Sequence, residues 1–361
     1  MSPCVQSKKK RISSVDDLLE HGLIDRDQIK VLRDVSAQYD IGVTEHIRTL
    51  LSGREDDPIA RQYIPSAEEN IIRPDEEADP IGDNSYSPVK GIVHRYPDRV
   101  LLKATPVCAV YCRYCFRREM VGTGSDEHLT DQDLDAAINY ITEHKEVWEV
   151  ILTGGDPFTL SARRLQKIID ALHEVAHVGV IRIHTRIPIA NPSRVDDTLL
   201  SVLKSSSKAV HVVVHINHAK EITEVVRQKI YQLRQSNCSI FSQSVLLRGV
   251  NDSSKALEKL FRALLMIHVK PYYLHHLDRA KGTSHFRVSI KRGKEIMKDL
   301  QGRLSGLLLP KYMLDIPGGH GKIPIDDGYV LSLDSDTYKV EDYQGCTHLY
   351  FDRQYNEGES V

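Results

Sequence analysis

From about residue 98 the chain alternates short apolar runs with longer stretches in which apolar residues recur every three or four positions. The runs are RVLLKAT (99–105), WEVILTGG (148–155), GVIRIHTR (179–186), AVHVVVHIN (209–217), SIFSQSVLL (239–247) and VKPYYLHHL (269–277). Between them lie DQDLDAAINYITEH (131–144), ARRLQKIIDALHEV (162–175), VDDTLLSVLK (195–204), KEITEVVRQKIYQLRQS (220–236) and SKALEKLFRALLMI (254–267). The runs predict strands and the longer stretches predict amphipathic helices. Six such units predict an α/β fold with a parallel sheet and right-handed crossovers, either an open doubly wound sheet or a partial barrel. Chemistry in either belongs where the strands end.

The first 90 residues follow another pattern. SSVDDLLEHGLI, DRDQIKVLRDVSAQYDI and TEHIRTLLS read as short capped helices. Residues 54–90 are acidic and carry Pro58, Pro65, Pro74, Pro80 and Pro88, which predicts an extended connector over the surface. The expected division is 1–90 for this helical region and connector, 91–288 for the (β/α)6 core, and 289–361 for a C-terminal segment.

Composition narrows the function. A net charge of −2 argues against nucleic acid as partner, and the KKKR run at 8–11 reads as a solvated tail. The most apolar stretch, AVHVVVHI (209–216), is far too short to span a membrane, and the start of the chain has no secretory pattern, so a cytoplasmic protein is expected. Six cysteines in 361 residues make no disulfide scaffold. Cys4, Cys238 and Cys346 stand alone, whereas Cys108, Cys112 and Cys115 crowd into TPVCAVYCRYCFRREM (105–120).

The crowded three have the spacing C-x3-C-x2-C directly after the first strand. A structural zinc site usually offers four ligands, and no second pair exists here. An iron–sulfur cluster of four irons normally takes four thiolates, so three leave one iron open to another ligand. TGGDP (153–157) ends the second strand, where glycines let a ligand approach the backbone closely. In DIPGGHGKIPI (315–325), Ile316 and Ile323 break the phosphate-loop pattern around Lys322. A lysine among glycines otherwise serves as a solvated turn residue or as a Schiff-base lysine.

C-x3-C-x2-C after the first strand, with Tyr114 and Phe116 around its last cysteine, resembles the signature of radical S-adenosylmethionine (radical SAM) enzymes. The ordered blocks HRYPDRVLL (94–102), CAVYCRYCFRR (108–118), TGGDP, RIHTRIPIANPSR (182–194), HINHAKEITE (215–224), QSVLLRGVND (243–252), KPYYLHHLD (270–278), HFR (285–287) and DIPGGHGKIP resemble the lysine 2,3-aminomutase family. The resemblance implies a partial (β/α)6 radical SAM barrel with an N-terminal helical extension and a C-terminal segment that binds pyridoxal 5′-phosphate. It implies a [4Fe–4S] cluster on Cys108, Cys112 and Cys115. S-adenosylmethionine would lie against Gly154, Gly155, Asp156, His215 and Gln243. Lys322 would carry pyridoxal phosphate, with Arg95 and Arg186 on its phosphate. Arg117 would grip the substrate carboxylate, and Asp278 and Asp315 its distant ammonium.

The implied reaction moves the α-amino group of L-lysine to C3. The implied partners are a small amino acid substrate, a flavodoxin- or ferredoxin-type electron donor and a further copy of the chain in a homo-oligomer. The tail holds only Cys346 where some relatives bind zinc between subunits, so no structural zinc is expected. Asp315 favours free lysine over lysine destined for elongation factor P, since that branch lacks an aspartate before its glycine loop. The same chemistry on another amino acid of glutamate type or on lysine destined for elongation factor P, and a non-catalytic iron–sulfur or zinc-binding protein, are the alternatives.

Overall fold

The computed structural model describes residues 11–351 except 55, 123–127, 326–327, 336 and 343. Most of the 8–11 basic run and Cys4 therefore lie outside the described residues. Four short helices come first: α1 (Val15–Glu20), α2 (Ile29–Ser36), α3 (Glu45–Leu50) and α4 (Ala60–Tyr63). An antiparallel pair, β1 (Ile92–Tyr96) and β2 (Arg99–Thr105), opens the main sheet. It continues with β3 (Glu149–Gly154), β4 (Val180–Thr185), β5 (Ala209–His215), β6 (Ser239–Val245), β7 (Lys270–His275) and β8 (Lys311–Ile316), all parallel to β2. The antiparallel β9 (Gly321–Pro324) closes the row of nine strands.

Helices α5 (Asp131–Glu143), α6 (Ala162–His173), α7 (Ile187–Ala190), α8 (Asp197–Lys204), α9 (Glu224–Arg234), α10 (Ser254–Met266) and α11 (Ile290–Gln301) lie between the strands. The connecting helices start where a hydroxyl or carboxylate accepts a free backbone N–H: Thr130, Ser161, Asp196, Thr223, Ser253 and Ser289 each do so. Thr223 explains why α9 begins four residues later than its apolar pattern suggests. The six expected strands are β2 to β7. The sheet also runs through a seventh parallel strand, β8, and gains an antiparallel strand at each edge.

The two faces of the sheet differ because side chains alternate along each strand. Val100, Val150, Ile181 and Val210 pair across one face, as do Leu102, Leu152, Ile183, Val212 and Ile240. These rows join the helices' Leu134, Leu165, Ile169, Leu203, Ile230 and Leu260 in one core. The opposite face carries Lys103, Arg182, His184, His211, His215, Gln243, Tyr273 and His275. Its edges approach each other: the Lys322 backbone N–H on β9 donates to the Tyr96 hydroxyl on β1 at 2.7 Å. The sheet is thus a nearly closed barrel with a polar interior, and Lys322 sits on its seam.

Residues 54–90 are not a surface connector. They bury Asp57, Gln62, Tyr63, Glu69, Glu76 and Asp83. With α1 to α3 they form a second small core that includes Ile47, Ile59 and Tyr63 and takes in Val110 of the cysteine loop. The last strands, β10 (Val330–Ser332), β11 (Thr337–Glu341) and β12 (Thr347–Phe351), make a separate antiparallel sheet. Among the described residues, no helix is long and apolar enough to cross a membrane.

Candidate active site

The cysteine loop leaves β2 and is pinned from both sides. The Tyr111 and Arg113 N–H groups donate to the carbonyls of Gly42 and Gln62 in the N-terminal region. The Gly155 and Asp156 N–H groups donate to the carbonyls of Thr105 and Val107. A Cβ at Gly154 would lie 2.7 Å from the Thr105 oxygen, and one at Gly155 2.4 Å from the Val107 oxygen. Gly154 also has φ +100°, a region that L side chains rarely adopt. The glycines therefore let strand and loop touch, which fixes the loop's height above the barrel.

Cys108, Cys112 and Cys115 all carry free thiols. Burial, then the neighbouring Asp156 and the other two cysteines, push the Cys108 thiol well above its usual range. Burial and Cys112 push Cys115 up to about 11. Cys108 and Cys115, whose thiols resist ionisation, suit a positively charged iron–sulfur core, which stabilises thiolates. Among the described residues, no three His, Cys, Asp or Glu side chains are placed to hold a single metal ion. Cluster thiolates need no such common centre, since each takes a different iron.

Asp156 is a strut of this assembly. One carboxylate oxygen accepts from the Phe158 N–H and the Thr185 hydroxyl, the other from the N–H groups of Arg186 and Ile187, at 2.7–3.0 Å. Both oxygens are therefore held within the fold. Arg186 is likewise committed. Its Nε donates to Tyr63 and its Nη2 to Gln62, both at 2.7 Å; it also pairs with Glu221 at 3.3 Å and donates to the Tyr114 hydroxyl. Each of its guanidinium nitrogens has a partner beside the cysteine loop. Arg95, the other residue expected on the cofactor phosphate, pairs instead with Asp83 at 3.1 Å.

His215 and Gln243 are register partners on β5 and β6. The His215 ring lies 3.1 Å from the Tyr114 hydroxyl, so this pair borders the cysteine loop. Burial and the nearby Arg186 hold His215 well below the usual imidazole range, which keeps it neutral.

The remaining expected residues gather around the seam. The Lys322 ammonium pairs with Asp315. Burial first, then Asp315, push the Asp278 carboxyl up to about 7, against the pull of Lys322 and Arg117. Burial and the Lys322 charge push His275 down to about 3. Burial, then Arg182, Arg117, His275 and Lys322, hold His184 well below its ordinary value. Lys322, Asp278, Asp315 and Arg117 thus feel one another's fields. Three buried atoms around them lack a partner: Asp315 Oδ1, Arg95 Nε and His184 Nε2. Buried polar atoms without partners are costly, so they fit a bound polar group.

Asp83, His184, His275 and Lys103 are additions to the residues singled out from sequence. Asp83 joins two of those residues: it accepts from Arg117 Nε at 3.0 Å and Nη2 at 2.8 Å, and from Arg95 at 3.1 Å. Burial favours its neutral form, but Arg117, Arg95 and Lys103 outweigh this and hold it below the usual carboxylate range. Its loop packs on the lysine turn, where a Cβ at Gly82 would lie 2.7 Å from the Gly319 nitrogen. The sequence signal for Lys103 was a charge in an otherwise apolar strand. Asp83 had no such signal, because acidic residues surround it in the connector.

A cysteine loop above a polar, nearly closed β/α barrel defines the class: the sequence profile of the radical SAM superfamily matches residues 102–261, from β2 into α10. The profile described as Lysine-2,3-aminomutase matches residues 297–360. L-lysine 2,3-aminomutase from Clostridium subterminale is 35% identical over 343 residues, covering 95% of this chain and 82% of that protein. The enzyme of the same name from Methanococcus maripaludis is 35% identical, covering 94% and 78%. Glutamate 2,3-aminomutase from Clostridioides difficile (strain 630) is 33% identical over 336 residues, covering 93% and 79%. The chain belongs to the lysine 2,3-aminomutase family of radical SAM enzymes, and it is an isomerase. Membership implies a [4Fe–4S] cluster, S-adenosylmethionine and pyridoxal phosphate as cofactors.

Proposed function

We propose that the protein converts L-lysine to β-lysine, with the roles divided between the loop and the seam. Cys108, Cys112 and Cys115 hold the cluster. The backbone of Gly154 and Gly155, with His215 and Gln243, receives S-adenosylmethionine, while Asp156 and Arg186 brace the loop that presents it. Lys322 carries pyridoxal phosphate, and Arg95 offers its unpartnered Nε to the phosphate. When bound, the cluster and S-adenosylmethionine supply a carbon-centred radical that takes hydrogen from C3, and pyridoxal phosphate carries the nitrogen from C2 to C3.

The chain's own residues orient the substrate. Arg117 presents two N–H groups in the planar fork that suits a carboxylate, so the substrate carboxylate displaces Asp83 from it. Asp278 and Asp315 take the distant ammonium at the other end. The neutral His184 and His275 line the space between without adding charge. Burial of the site excludes water, which strengthens each of these contacts.

The observation that carries this reading is the presence of two carboxylates, Asp278 and Asp315, at one seam, where burial and then the Asp315 charge raise Asp278 to about 7. A buried ammonium needs opposite charge, and lysine brings one. The side-chain carboxylate of glutamate would meet two like charges there, so the similarity to a glutamate 2,3-aminomutase does not extend to the substrate. A reducing, cytoplasmic setting suits five described cysteines that are all free. By role, the chain divides into 1–90 as brace, 91–288 as barrel core and 289–361 as carrier of the cofactor lysine.

The test is anaerobic reconstitution with iron, sulfide and pyridoxal phosphate, followed by S-adenosylmethionine, dithionite and either L-lysine or L-glutamate. The expected result is β-lysine by mass spectrometry and no β-glutamate. Cleavage of S-adenosylmethionine without β-lysine would overturn lysine as substrate while leaving the radical chemistry in place.

A further inference from the structure

Behind the cysteine loop, Tyr114, Leu247, Val250, Leu277 and Phe286 form a small apolar cluster against which Cys112 packs. The Phe286 ring meets Tyr114 edge-on at 6.0 Å, and its carbonyl accepts from the Arg248 N–H. This cluster is the wall between the cysteines and one patch of surface. That surface is a cavity of about 400 Å³ whose charged lining is Arg73, Arg248, His285 and Arg287 together with Glu68 and Asp75. Arg61 lies over the Phe286 ring at 5.8 Å and adds a further positive charge.

Of the acids present, Asp75 and Glu76 are occupied, while Glu68 is exposed. Arg287 pairs with Asp75 at 2.7 Å and with the buried Glu76 at 3.2 Å. Among the described residues, Arg73 and Arg248 have no ion pair and are exposed. His285 Nδ1, Arg287 Nε and Arg61 Nε are buried without a partner. Ile71 and Ile72, 48% and 49% exposed, form an apolar step beside Arg73. Exposed aliphatic side chains ringed by arginines have the composition of a protein-docking patch rather than of a general solvated surface.

We propose that this face docks an acidic one-electron carrier protein, whose electron passes by way of Phe286 and Tyr114 to the cluster at Cys112. The inference rests on the cluster proposed above. The step balances simply: the carrier loses one electron, the cluster gains one, and no bond forms or breaks. Arginine-rich patches attract acidic partners over several ångströms and raise the rate of encounter, an effect that salt suppresses.

The experiment compares the reconstituted holoenzyme with an Arg73→Glu/Arg248→Glu variant. Cluster reduction is followed by stopped-flow bleaching of its visible absorbance, with reduced flavodoxin and separately with dithionite. Neither lysine nor pyridoxal phosphate is needed, so failure of the lysine reading leaves this readout intact, and iron content with dithionite bleaching checks the cluster by itself. With flavodoxin at low salt the variant should be slower by at least about tenfold, and the steep salt dependence of the natural protein should flatten. With dithionite the two should be equal. An unchanged flavodoxin rate would overturn the proposal, and so would equal slowing with both reductants, since that would tie the arginines to cluster integrity. If the charge-reversed protein does not fold, Arg73→Gln/Arg248→Gln carries the same comparison, and a salt-independent flavodoxin rate in the natural protein would overturn the proposal without any variant.

Discussion

Arg113 and Arg117 stand four residues apart in one loop, and each is buried against a carboxylate from the 54–90 segment. Arg113 donates to both oxygens of Glu69 at 2.6–3.1 Å and to the Asp40 carbonyl at 2.8 Å. Arg118 adds a further bond to Glu69, and the Ser66 N–H another at 2.9 Å. Both oxygens of Glu69 are occupied, as are all three Arg113 guanidinium nitrogens, and among the described partners of Glu69 Arg118 Nε alone lacks a bond. Arg117 meets Asp83 in similar geometry, but its surroundings keep Asp315 Oδ1, Arg95 Nε and His184 Nε2 without partners. The same residue types thus build a closed network that holds the loop and an open one that can exchange an internal carboxylate for a substrate's.

The largest expected effect breaks the closed network. Glu69→Ala leaves two arginines buried without their counter-charge, which should destabilise the protein by about 3–5 kcal/mol. Urea or thermal denaturation measures it, and a loss below about 1 kcal/mol would mean that Glu69 does not anchor the loop. Changes in the open network should instead leave stability nearly intact and act on substrate. Asp315→Asn should lower kcat/KM for lysine by about 2 kcal/mol, or roughly thirtyfold. It should also narrow the preference for lysine over norleucine, which lacks the distal ammonium. An unchanged lysine-to-norleucine ratio would remove Asp315 from ammonium recognition.

The smallest effect is a pH dependence. Asp278 is held up to about 7, and only its ionised form attracts an ammonium. Substrate binding therefore releases a proton below that value, and affinity rises with pH until the carboxyl is fully ionised. KM for lysine should fall by about tenfold, equivalent to about 1.4 kcal/mol, between pH 6 and 8. Asp278→Asn should abolish the slope. A KM that rises over this range would contradict the role given to Asp278.

Much of the architecture was legible in the chain. β2 to β7 announced themselves because one face of each is apolar and buried against helices, which leaves a strong local pattern. The seventh unit, α11 with β8, escaped notice: KYMLDI carries charge near both ends, and its pairing with β7 supplies what the pattern lacks. The cysteine spacing and the glycine–lysine turn were equally readable, since both depend on residues close together in the chain. The N-terminal region was not. Its helices are short, and its work is done through contacts such as Glu69 to Arg113, 44 residues away.

The sequence alone determined the barrel class and the family and singled out Cys108, Cys112, Cys115 and Lys322 as candidates, because each rests on local spacing or on ordered blocks. Tertiary structure decided which charges serve and which only support. Arg186 reads like a phosphate clamp but is buried with Tyr63, Tyr114, Gln62 and Glu221. Asp83 reads like one acid among many in a connector but meets Arg95 and Arg117 at the seam. A charge's role depends on how many of its hydrogen bonds the fold satisfies, and that count exists only once distant segments are packed together.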